Sequence, residues 1–253
     1  IYETATGRKV SILPGRASSI ALTEDGCRAA VLSGNSLSVW DLTDAGAIRR
    51  KVREIQPHII VNPAAYTAVD KAESETGLAE AVNGIAPGIL AEEARHLGAV
   101  LVHYSTDYVF DGSKAAPYTE DDIPNPQSVY GKTKLAGEQA VRASGCKHLI
   151  LRTSWVYGVH GGNFVKTILR LAKERSELRI VADQFGAPTW ARDLAQATAS
   201  ALTGWQEKGW DSGASGLYHL TAAGRTNWHD YAEEVVRLAR SYDRELAGKL
   251  LDI

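Results

Sequence analysis

The chain has 253 residues, with 28 Lys and Arg against 30 Asp and Glu and a net charge of −2. That near-neutral, slightly acidic balance gives no electrostatic case for a nucleic-acid partner or an anionic membrane, and no apolar run is long enough to span a bilayer. The length and an apolar fraction of 44% suit one large α/β domain, or one domain with a small lobe. Cys27 and Cys146 are too few for a disulfide framework, and no metal-ligand spacing appears, so a reducing cytoplasm is the expected compartment and no metal is expected. No secretory signal pattern opens the chain. A chain that starts at Ile1 and contains no Met reads as a fragment or a processed product.

Residues 1–40 read differently from the rest. The alternating runs Ser18-Ser19-Ile20-Ala21-Leu22 and Ser36-Leu37-Ser38-Val39-Trp40 flank turn signals at Glu24-Asp25-Gly26 and Gly34-Asn35, the pattern of short antiparallel strands. Thr6 to Val10, Asp25-Gly26 and Val39 to Leu42 together look like a single WD-type propeller repeat, a unit that cannot bury its apolar face alone. Asp44 is then placed to cap a helix from Ala45 to about Ile55, with Ile48, Val52 and Ile55 on one side and Pro57 at its end. His58 to Asn62 is a continuous apolar run, as in a buried parallel strand. Small residues follow it in Pro63-Ala64-Ala65-Tyr66, at a strand end where an open α/β sheet admits a ligand. An Ala- and Glu-rich helical stretch from Asp70 to His96 is expected to break or kink at Pro87-Gly88 and to stop at Gly98. Ala99 to Tyr104 is the next buried strand, and it delivers Ser105, Thr106 and Asp107 to the same sheet edge. His103 within it reads as a satisfied core histidine. Glu120-Asp121-Asp122 lies in a polar loop with a turn at Pro124-Asn125-Pro126. Its paired acids suit a solvated loop better than glycosidase chemistry.

Tyr130 and Lys134 are four apart, hence on one face of a helix. A phenol with a pKa of about 10 gives up its proton poorly at neutral pH, and a nearby ammonium favours the phenolate. Tyr130 is therefore a candidate general acid, protonating a carbonyl oxygen as hydride reaches its carbon, and Thr106 or Ser105 is placed to hold that oxygen. Lys147 to Arg152 forms another strand, leading to Trp155, an aromatic that either walls a pocket or joins the core. Asn163 with the preceding glycines caps a helix that turns Phe164, Ile168 and Leu171 or Ala172 one way. Arg192-Asp193-Leu194 begins a further helix, and Gly216 to Leu220 is a short strand. Thr226 is placed to cap a last helix, with Trp228, Tyr231, Val235 and Leu238 spaced for burial.

The run from Ser105 to Glu138, with Ser-Thr-Asp-Tyr-Val-Phe-Asp-Gly, Pro-Tyr-Thr-Glu-Asp-Asp and Asn-Pro-Gln-Ser-Val-Tyr-Gly-Lys-Thr-Lys-Leu-Ala-Gly-Glu, resembles the dTDP-4-dehydrorhamnose reductases of the extended short-chain dehydrogenase/reductase group. The resemblance covers roughly Asp41 to Arg240. It implies a Rossmann-type, doubly wound parallel sheet with a small C-terminal substrate lobe, behind an atypical, β-rich N-terminus. The expected division is residues 1–40 as the atypical segment, 41–160 as the Rossmann-type core and 161–253 as a helical substrate lobe interleaved with core elements. The implied reaction is reduction of the C4 ketone of dTDP-4-dehydro-6-deoxy-L-mannose to dTDP-L-rhamnose by NADPH or NADH. Tyr130 would be the proton donor, Lys134 would tune it and hold the nicotinamide ribose, and Thr106 would polarise the ketone. Asp41, Leu42, Ala64, Ala65, Tyr66 and Tyr104 would complete the cofactor contacts, and Thr106, Asp107 and Trp155 would meet the sugar. A homodimer is usual in the group. The family's Gly-x-x-Gly-Gln-x-Gly turn does not occur among residues 1–40, whose glycines are scattered at Gly7, Gly15, Gly26 and Gly34, and the family's later Arg-Pro segment is not in the chain. The rival reading is a reductase-like binding or regulatory module without its cofactor loop. An epimerase or dehydratase of another nucleotide-sugar is disfavoured by the Ser105-to-Glu138 match.

Overall fold

The computed structural model describes the backbone of residues 18–22, 28–33 and 36–40, and residues 41–159, 161–210, 213–247 and 253 in full. Thr6 to Val10, the turn signals at Glu24 to Gly26 and Gly34-Asn35, and Cys27 lie outside the described residues. β1 (Ser18–Leu22), β2 (Arg28–Ser33) and β3 (Ser36–Asp41) pair antiparallel in that order, with Ser18 opposite Ser33 and Arg28 opposite Asp41. The alternating runs read from the sequence are strands, and β2 lies between them.

From Asp41 the chain alternates helix and strand. α1 (Ala45–Ile55) starts where Asp44 accepts the Ala47 N–H and ends at Gln56, whose φ of 51° reverses the chain. β4 (Ile59–Asn62) follows, then the short helices α2 (Val69–Ala72) and α3 (Thr76–Glu80). A π-helical turn, Ala81–Ile85, runs into α4 (Ala86–Leu97), which Gly98 caps at φ 66°. Pro87 therefore does not break the helix as expected. It sits in the first turn of α4, where its missing N–H is no loss, and the interruption falls between α2 and α3 and at the π-turn. β5 (Val100–Thr106), α5 (Val129–Ser144), β6 (Lys147–Thr153), β7 (Val156–Tyr157) and α6 (Phe164–Glu174) come next. They are followed by β8 (Phe185–Gly186), β9 (Thr189–Trp190), α7 (Ala191–Glu207), β10 (Gly216–His219), β11 (Thr226–Asn227), α8 (Trp228–Ala239) and α9 (Arg244–Ala247). Among the described residues, no helix is long and apolar enough to cross a membrane.

The chain divides into two compact units, Ile1–Thr153 with Ala195–Leu220, and Ser154–Leu194 with Thr221–Ile253. In the first, β10, β6, β5 and β4 form a parallel sheet in that order, with Asn62 opposite His103, Ser105 opposite Arg152, and Arg152 opposite His219. Both faces are covered. Leu101 and Ile150 pack beneath α1, α4 and α5 through Ile48, Val52, Ala91, Ala94 and Val141. Val102, Leu149 and Leu151 pack beneath Leu202 and Trp205 of α7. A parallel sheet between two helical layers is the doubly wound α/β arrangement of Rossmann type. Ile59, Ile60 and Val61 are half-buried rather than buried as expected, because β4 is the end strand of this sheet among the described residues.

The second unit is built on α6 and α8, with Ile168, Ala172, Leu178, Ala232, Val236 and Leu246 as its core. Asn227, not Thr226, caps α8, its side chain accepting the Asp230 N–H at 2.7 Å. Thr226 instead pairs with Gly186 in β11. The buried stripe of α8 is Ala232 and Val236, and Leu238 is exposed.

Candidate active site

Ser128 opens α5 by accepting the Gly131 N–H at 3.1 Å, and Glu73 accepts the Val129 N–H at 2.8 Å. A Cβ at Gly131 would run into the Tyr108 carbonyl oxygen, and one at Gly137 into that of Asn83. The two glycines let α5 lie against the backbone of both neighbouring segments. This brings Tyr130 and Lys134 over the C-terminal end of β5, where Thr106 and Asp107 emerge. The Thr106 hydroxyl donates to Asp107 at 3.0 Å, accepts the Tyr108 N–H at 3.2 Å, and lies beside the Tyr130 hydroxyl as its hydrogen-bond partner. Lys134, 1% exposed, donates from Nζ to the Tyr104 carbonyl oxygen at 2.7 Å. Tyr108 meets the Tyr130 ring edge-on at 5.4 Å.

The electrostatics depart from the expectation of a lowered phenol. Burial pushes Tyr130 up to about 12, Thr106 opposes this, and the charge of Asp107 adds to it. Lys134 is itself lowered to about 8 by burial, with Glu138 resisting. Desolvation sets the phenol, with no lowering by Lys134 among the causes of its shift, and Tyr130 keeps its proton at neutral pH. Burial also raises Asp107 to about 6. His103 is in the core as expected, fully buried, but only half satisfied: its Nδ1 lies 3.1 Å from Asn62 Nδ2 while its Nε2 has no hydrogen-bond partner among the described residues, and burial and Lys134 hold it well below the ordinary histidine value.

Of the other residues singled out from the sequence, Tyr66 joins this group. It is buried beside Val82 and packs with Val129 and Tyr130, and its hydroxyl donates to Glu75. Ala64 is buried and Ala65 half-buried where β4 ends, and the Ala64 N–H is held by Asn62 Oδ1 at 3.2 Å. Leu42 is buried, while the Asp41 carboxylate takes the N–H and hydroxyl of Thr43 at 2.9 and 2.6 Å. The Tyr104 hydroxyl turns to the other sheet face and bonds Thr198 at 2.6 Å. Trp155 belongs to the second unit. Its φ of 48° is unusual for a non-glycine residue, and its ring stacks on Trp228 at 3.5 Å. On α8, donor atoms of His229, Asp230 and Glu233 lie within 4.8 Å of one another, a grouping common on helix surfaces without an ion.

The RmlD substrate binding domain family matches residues 15–249. The chain belongs to this reductase family. A dTDP-4-dehydrorhamnose reductase of Burkholderia thailandensis is 51% identical over 197 residues, 78% of this chain and 66% of the relative. Among solved structures, the reductase of Clostridium acetobutylicum is 45% identical with a TM-score of 0.73, covering 79% of this chain and 68% of that one. The reductase of Bacillus anthracis, in complex with NADP, is 39% identical with a TM-score of 0.69, covering 84% and 70%. The chain thus spans about two thirds of the length of these reductases.

For a member of this family, the described residues fit the nicotinamide–ribose end of a dinucleotide. Lys134 Nζ spends one donor on Tyr104, and its two others would be the ones to meet ribose hydroxyls. Ala64 and Ala65 leave the β4 end open to close approach. Before Asp41 the described backbone is the antiparallel β1–β3 sheet, so among the described residues no glycine-rich turn leads from the parallel sheet into a helix. Two features escaped the sequence reading. Asn83, fully buried in the π-turn, takes the Tyr66 N–H at 2.8 Å, gives a bond to the Tyr66 carbonyl at 3.0 Å and another to Thr133 at 3.2 Å. Arg152 makes a paired bond to Glu138, at 2.8 and 2.6 Å. An Asn inside an Ala-rich helix and a Glu four residues beyond Lys134 are the only signals either leaves in the sequence.

Proposed function

We propose that this chain reduces the C4 ketone of dTDP-4-dehydro-6-deoxy-L-mannose, giving dTDP-L-rhamnose, with NADPH or NADH as reductant. The observation that carries this reading is the convergence of Thr106, Tyr130 and Lys134 at the C-terminal end of β5. The bound cofactor supplies a hydride to C4. As charge grows on the ketone oxygen, Tyr130 transfers its proton there, completing the alcohol. A phenol held near 12 keeps its proton in the ground state and gives it up only to an oxygen becoming an alkoxide. Thr106, hydrogen-bonded to both Tyr130 and Asp107, fixes the direction of the Tyr130 hydroxyl and is the group to meet the ketone oxygen. Lys134 holds the ribose and adds positive charge behind Tyr130. Asp107 positions the sugar hydroxyls, and Trp155 is the aromatic that the family resemblance assigns to the sugar. The sugar diphosphonucleoside is the partner, and the cytoplasm the compartment.

The similarity to dTDP-4-dehydrorhamnose reductases favours this reading over a non-catalytic module, for which the β1–β3 sheet is the supporting feature. Replacing Tyr130 by Phe tests it. Loss of the proton donor is expected to lower kcat by about 10²–10⁴-fold while dinucleotide affinity, measured by titration calorimetry, stays nearly unchanged. Unaltered kcat with weakened cofactor binding would remove Tyr130 from the chemistry.

A further inference from the structure

Tyr130, Lys134 and Glu138 recur every four residues and share one face of α5. Lys134 and Glu138 are each 1% exposed, and Arg152 is 4% exposed. Arg152 rises from β6 toward that face, in the row that pairs it with Ser105 of β5 and His219 of β10. Its Nε and Nη2 grip both Glu138 oxygens, and its guanidinium lies over the Phe110 ring at 5.0 Å. Its Nη1 makes no hydrogen bond among the described residues. Two full charges are thus held out of water one helical turn beyond the reacting Tyr and Lys. Buried pairs of this kind are weak sources of stability, because desolvation consumes most of the attraction. An apolar pair would fasten α5 to β6 at least as well.

We propose that Glu138, oriented by Arg152, is a positioning residue of the reductase: it is the counter-charge that keeps the buried Lys134 protonated behind Tyr130. Among the described residues, the groups that α5, β5 and β6 bring to Lys134 leave no other candidate for that task. On α5 its neighbours are Tyr130, which is neutral, and Glu138. From β5 come His103, kept uncharged by burial, and the Tyr104 carbonyl. Asp107 lies past the end of β5 and is engaged by Thr106. From β6 comes the cation Arg152, and beyond it His219, lowered by burial, with Glu120 at its backbone N–H. Glu138 is the only carboxylate one turn from Lys134. Arg152, bonded to both Glu138 oxygens, fixes where that carboxylate points. The burial that lowers Lys134 and the resistance offered by Glu138 agree with this arrangement.

The inference rests on the reductase reading, and the test separates the two. Lys134 is titrated in cofactor-free protein by NMR of 13Cε-labelled lysine, its signal assigned by its loss in Lys134→Met. In E138L/R152M the pair is exchanged for apolar residues of similar volume, a change buried pairs commonly tolerate. The Lys134 midpoint is expected to fall by about one pH unit. In R152M alone, Glu138 is left facing Lys134 and the midpoint is expected to rise. A purely structural pair would leave both midpoints where they are, or move both the same way, and either result overturns the proposal. If R152M does not fold, the double variant decides: a fall supports the proposal, and an unchanged or higher midpoint overturns it. In the enzymatic arm, the alkaline limb of kcat should follow the NMR midpoint in each variant. A limb that stays fixed while the midpoint moves would overturn the positioning role. A wild-type chain without turnover would sink the reductase reading and leave the NMR result to judge Glu138.

Discussion

At the scale of single residues, the site is dominated by burial rather than by pairwise attraction, and this has a cost that can be measured. Lys134 has its pKa lowered to about 8 in the folded chain, against about 10.4 when unfolded. The unfolded state therefore binds the proton more tightly, and the penalty is present in full below pH 8 and gone above about 10.4. At about 1.4 kcal/mol per pH unit the penalty is about 3 kcal/mol, less about 1 for the bond to Tyr104 that an apolar residue would forfeit. Lys134→Met is thus expected to stabilise the fold by about 2 kcal/mol at pH 7 and to destabilise it by about 1 kcal/mol at pH 10.5, where only the lost bond to Tyr104 counts, while removing reductase activity. Urea titrations at the two pH values check it, and a variant less stable at pH 7 would contradict it. Asp107 gives the acidic counterpart. With its carboxyl at about 6, its charge is lost as pH falls through that value. If the ionised form positions the sugar, kcat/KM should drop tenfold per pH unit below about 6, and Asp107→Asn should be slow but flat across the same range.

At the scale of elements, α5 is placed by its start and by its two glycines, and the two devices differ in worth. Removing the Ser128 cap by Ala should cost about 1 kcal/mol. Gly131→Ala meets a backbone carbonyl, which cannot rotate away, so its cost should reach the upper end of overpacking, about 3 kcal/mol. Chemical denaturation of both variants tests the order, and a Gly131→Ala change milder than Ser128→Ala would mean the helix contact is looser than it appears. Local signals made this part of the fold readable from the chain. An apolar run ending in Ser105-Thr106-Asp107 and a Tyr–Lys pair at helical spacing each act over a few residues. The Asn83 clamp on Tyr66 joins residues 17 apart, and the Glu138–Arg152 pair joins a helix to the next strand 14 residues on. Nothing in local spacing encodes such pairs. The same limit explains the raised Tyr130: spacing shows that an ammonium is near, but only the packed site shows that Lys134 is fully buried and that burial raises the phenol. Thr226 misled as a cap because Asn227, one residue later, is the better capping side chain once Thr226 pairs in β11.

At the scale of the whole molecule, the question is how a sheet whose described strands end at β4 holds a dinucleotide. In doubly wound sheets the cofactor lies across the point where strand order reverses, its pyrophosphate on a glycine-rich turn. In the proposed reading Lys134, Tyr130 and the β4 end would supply the nicotinamide side, and Asp41 and Leu42 the contacts toward adenine. Binding to the folded state alone stabilises it by mass action, by about 2.7 kcal/mol at a concentration a hundredfold above Kd. For a chain of this size that corresponds to a rise of roughly 5–10 °C in Tm. The reductase reading predicts such a rise with NADPH or NADH in a thermal scan, and its loss in Lys134→Met. Reduced nicotinamide mononucleotide, which lacks the adenylate, should give part of the rise through the same ammonium. The remainder measures what residues before Thr43 contribute to holding the pyrophosphate and adenosine. No shift with any of the three at millimolar concentration would return the chain to the non-catalytic reading, with its Tyr and Lys in place and no cofactor for them to serve.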